Sequence, residues 1–165
     1  EVEKRLAAAG VRVKLDDSDN SPGWKFNEWE MKGVPVRLEL GPRDIENGKM
    51  VCVRRDTHEK AEYALENAES VVTALLENVQ KDMLESARAR RDKRIVYADD
   101  VAGILAGVEG GNFVKAGWCG KRCCEDKIKE RTAATARVYA EGETAEKCAV
   151  CGEKAEHMVI FARAY

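Results

Sequence analysis

The residues of this chain best suited to chemistry are its cysteines. Five of the six fall in two tight groups, Cys119-Gly120-Lys121-Arg122-Cys123-Cys124 and Cys148-Ala149-Val150-Cys151-Gly152. Thiolates are soft donors, and a Cys-x2-Cys pair followed by glycine is a common knuckle of a tetrahedral Zn2+ site. The glycine lets the turn aim backbone N–H groups at the sulfurs. The first group offers three cysteines for two ligand positions. Four thiolates around Zn2+ leave a charge of about −2, which Lys121, Arg122, Lys127, Lys147 and Lys154 could offset. Such a closed site is structural and activates no water. Free thiols are one alternative. A redox dithiol at Cys148 and Cys151 is another, but that motif belongs at the start of a helix, and here a glycine follows it. His58 and His157 lie outside the knuckles and read as ordinary surface histidines.

The second group of chemical interest is polar. Val34-Pro35-Val36-Arg37-Leu38-Glu39-Leu40 alternates strictly, so Arg37 and Glu39 share one face of a strand, ~7 Å apart. Lys25, Glu30, Arg43, Arg54 and Arg55 lie nearby in sequence. A guanidinium fits the O6 and N7 acceptors of guanine, and a carboxylate fits donors on its Watson–Crick edge. A solvated sheet face accounts for the same pattern. Trp24, Phe26 and Trp29 sit at helical spacing, which favours core packing over base stacking for at least two of them. The run Arg88-Ala89-Arg90-Arg91-Asp92-Lys93-Arg94 reads as a solvated helix end that complements the dipole, or as a holder of phosphates. No Gly-rich phosphate loop, dinucleotide fingerprint or Ser/His/Asp arrangement stands out.

These residues need elements to position them. A helix over 2–9 closes at Gly10, and Val11 to Leu15 alternates as a half-buried strand. Ser21-Pro22 opens a helix that carries the aromatic residues and stops at Gly33. The strand from Val34 follows, then a turn or loop at Gly41 to Asp44. Asn47-Gly48 is a hairpin signal before a return strand from Met50 to Asp56. Ala68, Val71, Val72, Leu75, Leu76, Val79, Met83 and Ala87 form the apolar stripe of a long helix. Ile95 to Tyr97 is a short strand and Asp99 to Leu105 a short helix. Gly107 to Gly111 reads as a flexible joint near a domain boundary. Beyond it come Val114 to Cys119, a polar helix from Glu125 to Arg131, and strands at Ala134 to Tyr139 and Met158 to Ala164.

Composition sets the bounds. The 165 residues are 44% hydrophobic and 35% charged, enough apolar material for a core. Lys and Arg number 28 against 30 Asp and Glu, a net charge of −2, which excludes a globally basic nucleic-acid binder. No run approaches the roughly 18 apolar residues of a membrane span. The opening Glu1-Val2-Glu3-Lys4-Arg5 is not a signal peptide, so a cytoplasmic chain without membrane contact is expected.

Several of these segments together resemble the C-terminal half of the prolyl-tRNA synthetase family, in its archaeal/eukaryotic form. They are Ser21-Pro22-Gly23-Trp24-Lys25-Phe26-Asn27-Glu28-Trp29-Glu30, Lys32-Gly33-Val34-Pro35, Gly41-Pro42-Arg43-Asp44, Val53-Arg54-Arg55-Asp56-Thr57, both cysteine groups and the end Phe161-Ala162-Arg163-Ala164-Tyr165. The resemblance implies an α/β chain. A mixed-sheet anticodon-binding domain over 1–96, without the family's opening strand, precedes a small α+β zinc-binding domain over 97–165. It implies base readers at Glu30, Arg37 and Asp44, with Lys25, Arg43, Arg54, Arg55 and Lys60 as further candidates. The zinc ligands it implies are Cys119, Cys124, Cys148 and Cys151. It implies proline tRNA as partner and a homodimeric parent that charges tRNA with proline. ATP and Mg2+ would bind only in a catalytic domain that this chain lacks, so the chain alone is expected to be inactive. The Tyr165 carboxylate matches a family end that folds back toward that domain. His58 stands where the family usually has glycine. A zinc-stabilised protein-interaction module that binds no RNA is the competing reading.

Overall fold

The computed structural model describes residues 1–164, so the expectation for the Tyr165 carboxylate lies outside the described residues. The chain divides into two compact units, Glu1–Ser86 and a second from Ala87 onward.

The first unit is an antiparallel three-stranded sheet with helices. In chain order it holds α1 (Val2–Ala8), α2 (Pro22–Met31), β1 (Val36–Glu39), α3 (Pro42–Glu46), β2 (Lys49–Arg54), β3 (Lys60–Ala64) and the start of α4 (Ala68–Asp92). Strand order is β1-β2-β3. Val36 pairs with Arg54 and Leu38 with Cys52, while Met50 pairs with Tyr63. That face packs on Leu6 of α1 and on Ala68, Val72, Leu75 and Val79 of α4. Arg37 and Glu39 therefore point to the opposite face, in the rows Arg37–Val53–Lys60 and Glu39–Val51–Glu62.

The second unit holds β4 (Ile95–Ala98), α5 (Val101–Glu109), β5 (Phe113–Trp118), α6 (Arg122–Thr132), β6 (Ala134–Tyr139) and β7 (His157–Arg163). Its sheet runs β4-β5-β7-β6. Only β4–β5 is parallel, so the mixed sheet lies here and not in the first unit. Ile104, Val108, Ile128, Val114, Val159 and Phe161 form its core. No described helix is long and apolar enough to cross a membrane.

The α/β class agrees with expectation, and several local readings change. Val11 to Leu15 is not a strand. Val11 and Val13 do pack on the core, but no described strand pairs with the segment. Gly41 to Asp44 enters the short helix α3, where Asp44 caps Gly41. Residues 47–48 therefore follow a helix and do not form a two-residue hairpin. The second connection of this sheet, and with it β3, goes unsignalled by turn residues. The apolar stripe of α4 is buried only as far as Val79, and Met83 is 51% exposed because no core lies beneath it. The division between units falls inside α4, ahead of residue 96, and β4 belongs to the second sheet. Gly107 lies within α5, so 107–111 is not a joint.

Among the described residues, two non-glycine positions adopt left-handed backbone, His58 at φ 58° and Ala133 at φ 55°. Ala133 ends α6, and His58 occupies the β2–β3 turn, closed by Arg54 N–H to the Glu59 carbonyl at 3.0 Å. A side chain there costs roughly 1–2 kcal/mol, partly offset by the greater unfolded-state entropy of glycine. His58→Gly and Ala133→Gly should each stabilise the protein by about 0.5–1 kcal/mol in denaturant unfolding. His58→Val should destabilise it.

Candidate nucleic-acid interface and metal centre

The polar face of the first sheet holds a connected set of charges. The Arg37 guanidinium donates from Nη1 to Glu30 Oε1 at 2.6 Å and from Nε to Glu39 Oε1 at 3.1 Å. It also lies over the Phe26 ring, 3.9 Å from its centroid, a cation–π contact. Lys60 reaches back across β2 and donates to Glu39 Oε2 at 2.7 Å. Partial burial works against the Glu39 carboxylate, yet Lys60 and Arg37 outweigh it and hold its pKa below the ordinary value. Arg55 donates from Nε to the Glu30 carbonyl at 3.1 Å. Glu30, Arg37 and Lys60 are thus linked through Arg37 and Glu39, and Arg55 joins them at the Glu30 carbonyl.

The remaining candidates sit elsewhere. Arg54 faces the other way, to Asp56 at 2.6 Å and to Asp82 of α4 at 2.7 Å, and clips the sheet to that helix. Lys25 donates to the Asp16 carbonyl at 3.2 Å. Asp44 accepts from the Gly41 N–H at 2.9 Å. Arg43 is exposed on α3.

None of the three aromatic residues of α2 enters a core. Trp24 is 52% exposed, Phe26 supports Arg37, and the Trp29 indole donates to Asp16 Oδ2 at 2.6 Å. The helix packs over a polar sheet face, so helical spacing here marks contacts to charges. Sequence reading paired Glu39 with Arg37 but missed that Lys60 reaches Glu39 and that Phe26 lies under the guanidinium. The strand alternation that puts Arg37 and Glu39 together was the available signal.

Asp16 is also held by Ser18, whose hydroxyl donates at 2.6 Å. Hydrogen bonds from Ser18 and then Trp29, with the charge of Lys25, lower its pKa to about 2. A lowered carboxylate pKa stabilises the fold above the unfolded value, about 3.9, and that contribution disappears as pH falls toward 2. Trp29 fluorescence, isolated by comparison with Trp29→Phe, should therefore stay constant through pH 4 and change only as pH falls toward about 2, where folded Asp16 takes up its proton. In Asp16→Asn the acid transition should vanish.

The metal centre forms where three segments of the second unit meet. Cys119 follows β5, Cys124 lies in the first turn of α6, and Cys148 and Cys151 flank a tight turn closed by Gly152 N–H to the Cys148 carbonyl at 3.0 Å. Gly120 and Gly152, at φ 77° and 72°, give each knuckle the left-handed residue that turns the chain around the sulfur. The four sulfurs all lie within 4.8 Å of one another. Cys119 Sγ is 3.6 Å from Cys124 Sγ and 3.7 Å from Cys151 Sγ. A tetrahedron with Zn–S near 2.3 Å has edges of about 3.8 Å. All six cysteines are free thiols. The four could hold a metal ion, and their spacing and soft donors fit zinc.

The helix decides between the adjacent cysteines. Successive α-helical residues point about 100° apart, so Cys124 is buried in the cluster while Cys123 is exposed. Burial raises the pKa of Cys119 and Cys124. Desolvation also opposes the Cys148 thiolate, but backbone donors at Cys151, Val150 and Cys119 outweigh it and lower that thiol to about 7. The Cys148–Cys151 pair opens no helix, which removes the structural basis for a redox dithiol.

Comparisons with known proteins agree with both units. Residues 1–75 match the family described as "Anticodon binding domain", and residues 103–165 match "Prolyl-tRNA synthetase, C-terminal". A proline–tRNA ligase of Lachnospira eligens is 47% identical over 170 residues, covering all of this chain and 35% of that protein. One of Acetoanaerobium sticklandii is 49% identical over 169 residues, with the same coverage. The chain is of the C-terminal region of the prolyl-tRNA synthetase family, with its anticodon-binding and C-terminal domains. A crystal structure of prolyl-tRNA synthetase from Cryptosporidium parvum, complexed with L-proline and AMP, superposes with TM-score 0.93 at 37% identity. The match covers 99% of this chain and 36% of that one. The chain thus spans about a third of the length of the curated prolyl-tRNA synthetases it matches, 35% of each.

Metal analysis tests the ligand set. Cys124→Ser should lose most of the bound metal, and Cys123→Ser should retain one ion per chain.

Proposed function

We propose that this chain recognises the anticodon loop of proline tRNA and carries a structural zinc ion. In this reading it is the C-terminal part of an enzyme that attaches proline to tRNA. The observation that carries the proposal is the Arg37 guanidinium, held by Glu30 and Glu39 over Phe26 on the non-core face of the anticodon-binding unit. A guanidinium has five N–H donors, and three of its nitrogens here each engage a carboxylate. Donors remain on its terminal nitrogens for a base edge. The partner Glu30 can accept from guanine N1–H and N2–H, so one arginine and one carboxylate together match both sides of that base. Lys60 and Arg55 add positive charge along the same face for the loop backbone.

Zinc in this reading supplies folding energy, on the order of 10 kcal/mol in small modules. Cys119, Cys124, Cys148 and Cys151 would hold it, and Lys121, which feels the charge of Cys119 and Cys151, would temper its charge. ATP, Mg2+ and proline would be handled by a catalytic domain of the same enzyme.

The test is titration with a proline anticodon stem–loop and a guanine-substituted loop at two salt concentrations. Arg37→Ala should erase most of the difference between the loops, worth about 1–3 kcal/mol. Arg91→Ala should leave that difference intact and act, if at all, on affinity for any RNA and its salt dependence. Full discrimination by Arg37→Ala would reduce the polar face to a solvated sheet surface. Equal binding of both loops by the unsubstituted chain would favour the protein-interaction reading.

A further inference from the structure

We infer that Glu39 is the positioning residue that sets guanine specificity at this site, acting through Arg37. This rests on the anticodon-binding reading above and deepens it. Glu39 ends β1, two residues beyond Arg37 on the same face of the strand. Its two carboxylate oxygens divide their work. Oε1 accepts from Arg37 Nε at 3.1 Å and faces Nη2 at 3.1 Å, taking the side fork of the guanidinium. Oε2 accepts from Lys60 at 2.7 Å.

The geometry fixes the plane of the guanidinium from three directions. Phe26 sets its height through the ring contact at 3.9 Å, Glu30 holds Nη1 at 2.6 Å, and Glu39 closes the side fork. Of these, Glu39 alone contacts Nε, the nitrogen nearest the aliphatic stem. That contact stops rotation of the group about its last bonds. An arginine on an open sheet face otherwise samples many rotamers and loses that freedom on binding. Glu39 is itself restrained, because Lys60 pulls its second oxygen toward β3 and its side chain is only 20% exposed. Lys60 thus acts as the outer anchor of a chain that runs Lys60–Glu39–Arg37–Glu30 from β3 to α2. Removing Glu39 leaves Arg37 charged and still tied to Glu30 and Phe26 but frees its Nε side to turn, so its attraction for any RNA survives while its choice of base declines.

The experiment measures the ratio of affinities for the proline anticodon stem–loop and the guanine-substituted loop. It uses the metal-loaded chain as Glu39→Leu, Glu39→Gln, Arg37→Ala and the Arg37→Ala/Glu39→Leu double variant. Glu39→Leu should lower the ratio roughly tenfold while binding of the substituted loop changes little. Glu39→Gln keeps an oxygen acceptor for the Arg37 fork and should retain most of the ratio. In the double variant the ratio should fall no further than in Arg37→Ala, because Glu39 acts only through that side chain. An unchanged ratio in Glu39→Leu beside a lost one in Arg37→Ala overturns the role of Glu39 and leaves the site reading standing. An additional loss in the double variant also overturns it, since Glu39 would then act independently. If Arg37→Ala keeps the full ratio, the anticodon reading itself fails, and this inference with it. Should Glu39→Leu unfold by circular dichroism, Glu39→Ala and Glu39→Gln decide between the same outcomes.

Discussion

The two-residue period of β1 is the constraint on which the proposed interface depends. Val36 and Leu38 are drawn to one side by Met50, Cys52 and the buried stripe of α4. A slip of one residue would bury Arg37 and Glu39 and expose two apolar side chains, so the register is specified by the core. The charged side chains are thereby committed to the other face, where α2 meets them with Phe26 and Glu30 and β3 meets them with Lys60. The hydrophobic effect sets the direction of Arg37. Ion pairs set its final orientation, and each is modest where it is open to water.

A different constraint organises the second unit. Four sulfurs within 4.8 Å bring together the end of β5, the start of α6 and the turn at Cys148–Cys151. These segments contribute little apolar surface of their own, apart from Trp118, Val150 and the cysteines themselves. Without a metal, burial opposes ionisation of Cys119 and Cys124 and raises both thiols, and little else holds the cluster. A metal ion accepting all four, as proposed, would convert that cost into folding energy. Sheet hydrophobics such as Val114 and Phe161 form the separate core of this unit, and Trp118 and Val150 pack against both clusters.

The long α4 stripe and both cysteine knuckles were legible in the sequence because each follows from local spacing. The face carrying Arg37 and Glu39 was legible for the same reason. What escaped were features set by distant partners. Val11 and Val13 alternate like strand residues, yet a strand needs a neighbour, and no local pattern reports one. The apolar positions Met83 and Ala87 continue the α4 period past the point where a core exists. The aromatic residues of α2 have core spacing, but they serve charges on the sheet below. Cys123 and Cys124 were indistinguishable by type and spacing; the family resemblance alone chose Cys124, and the start of α6 turns that one inward. Arg54 looked equivalent to Arg55 in sequence, and pairing with Val36 turned it toward α4 instead.

The central claim is that Arg37 reads a guanine of the proline anticodon from a preset position. Side-chain nitrogen NMR of the metal-loaded chain tests this most directly, because the Arg37 Nε–H resonance reports on that guanidinium alone. It should be sharp and protected in the free protein, owing to Glu39. On addition of the proline anticodon stem–loop, the guanidinium resonances should shift. The guanine-substituted loop at equal saturation should leave them close to the free positions. Identical shifts with both loops, or none with either while other residues report binding, would contradict the account.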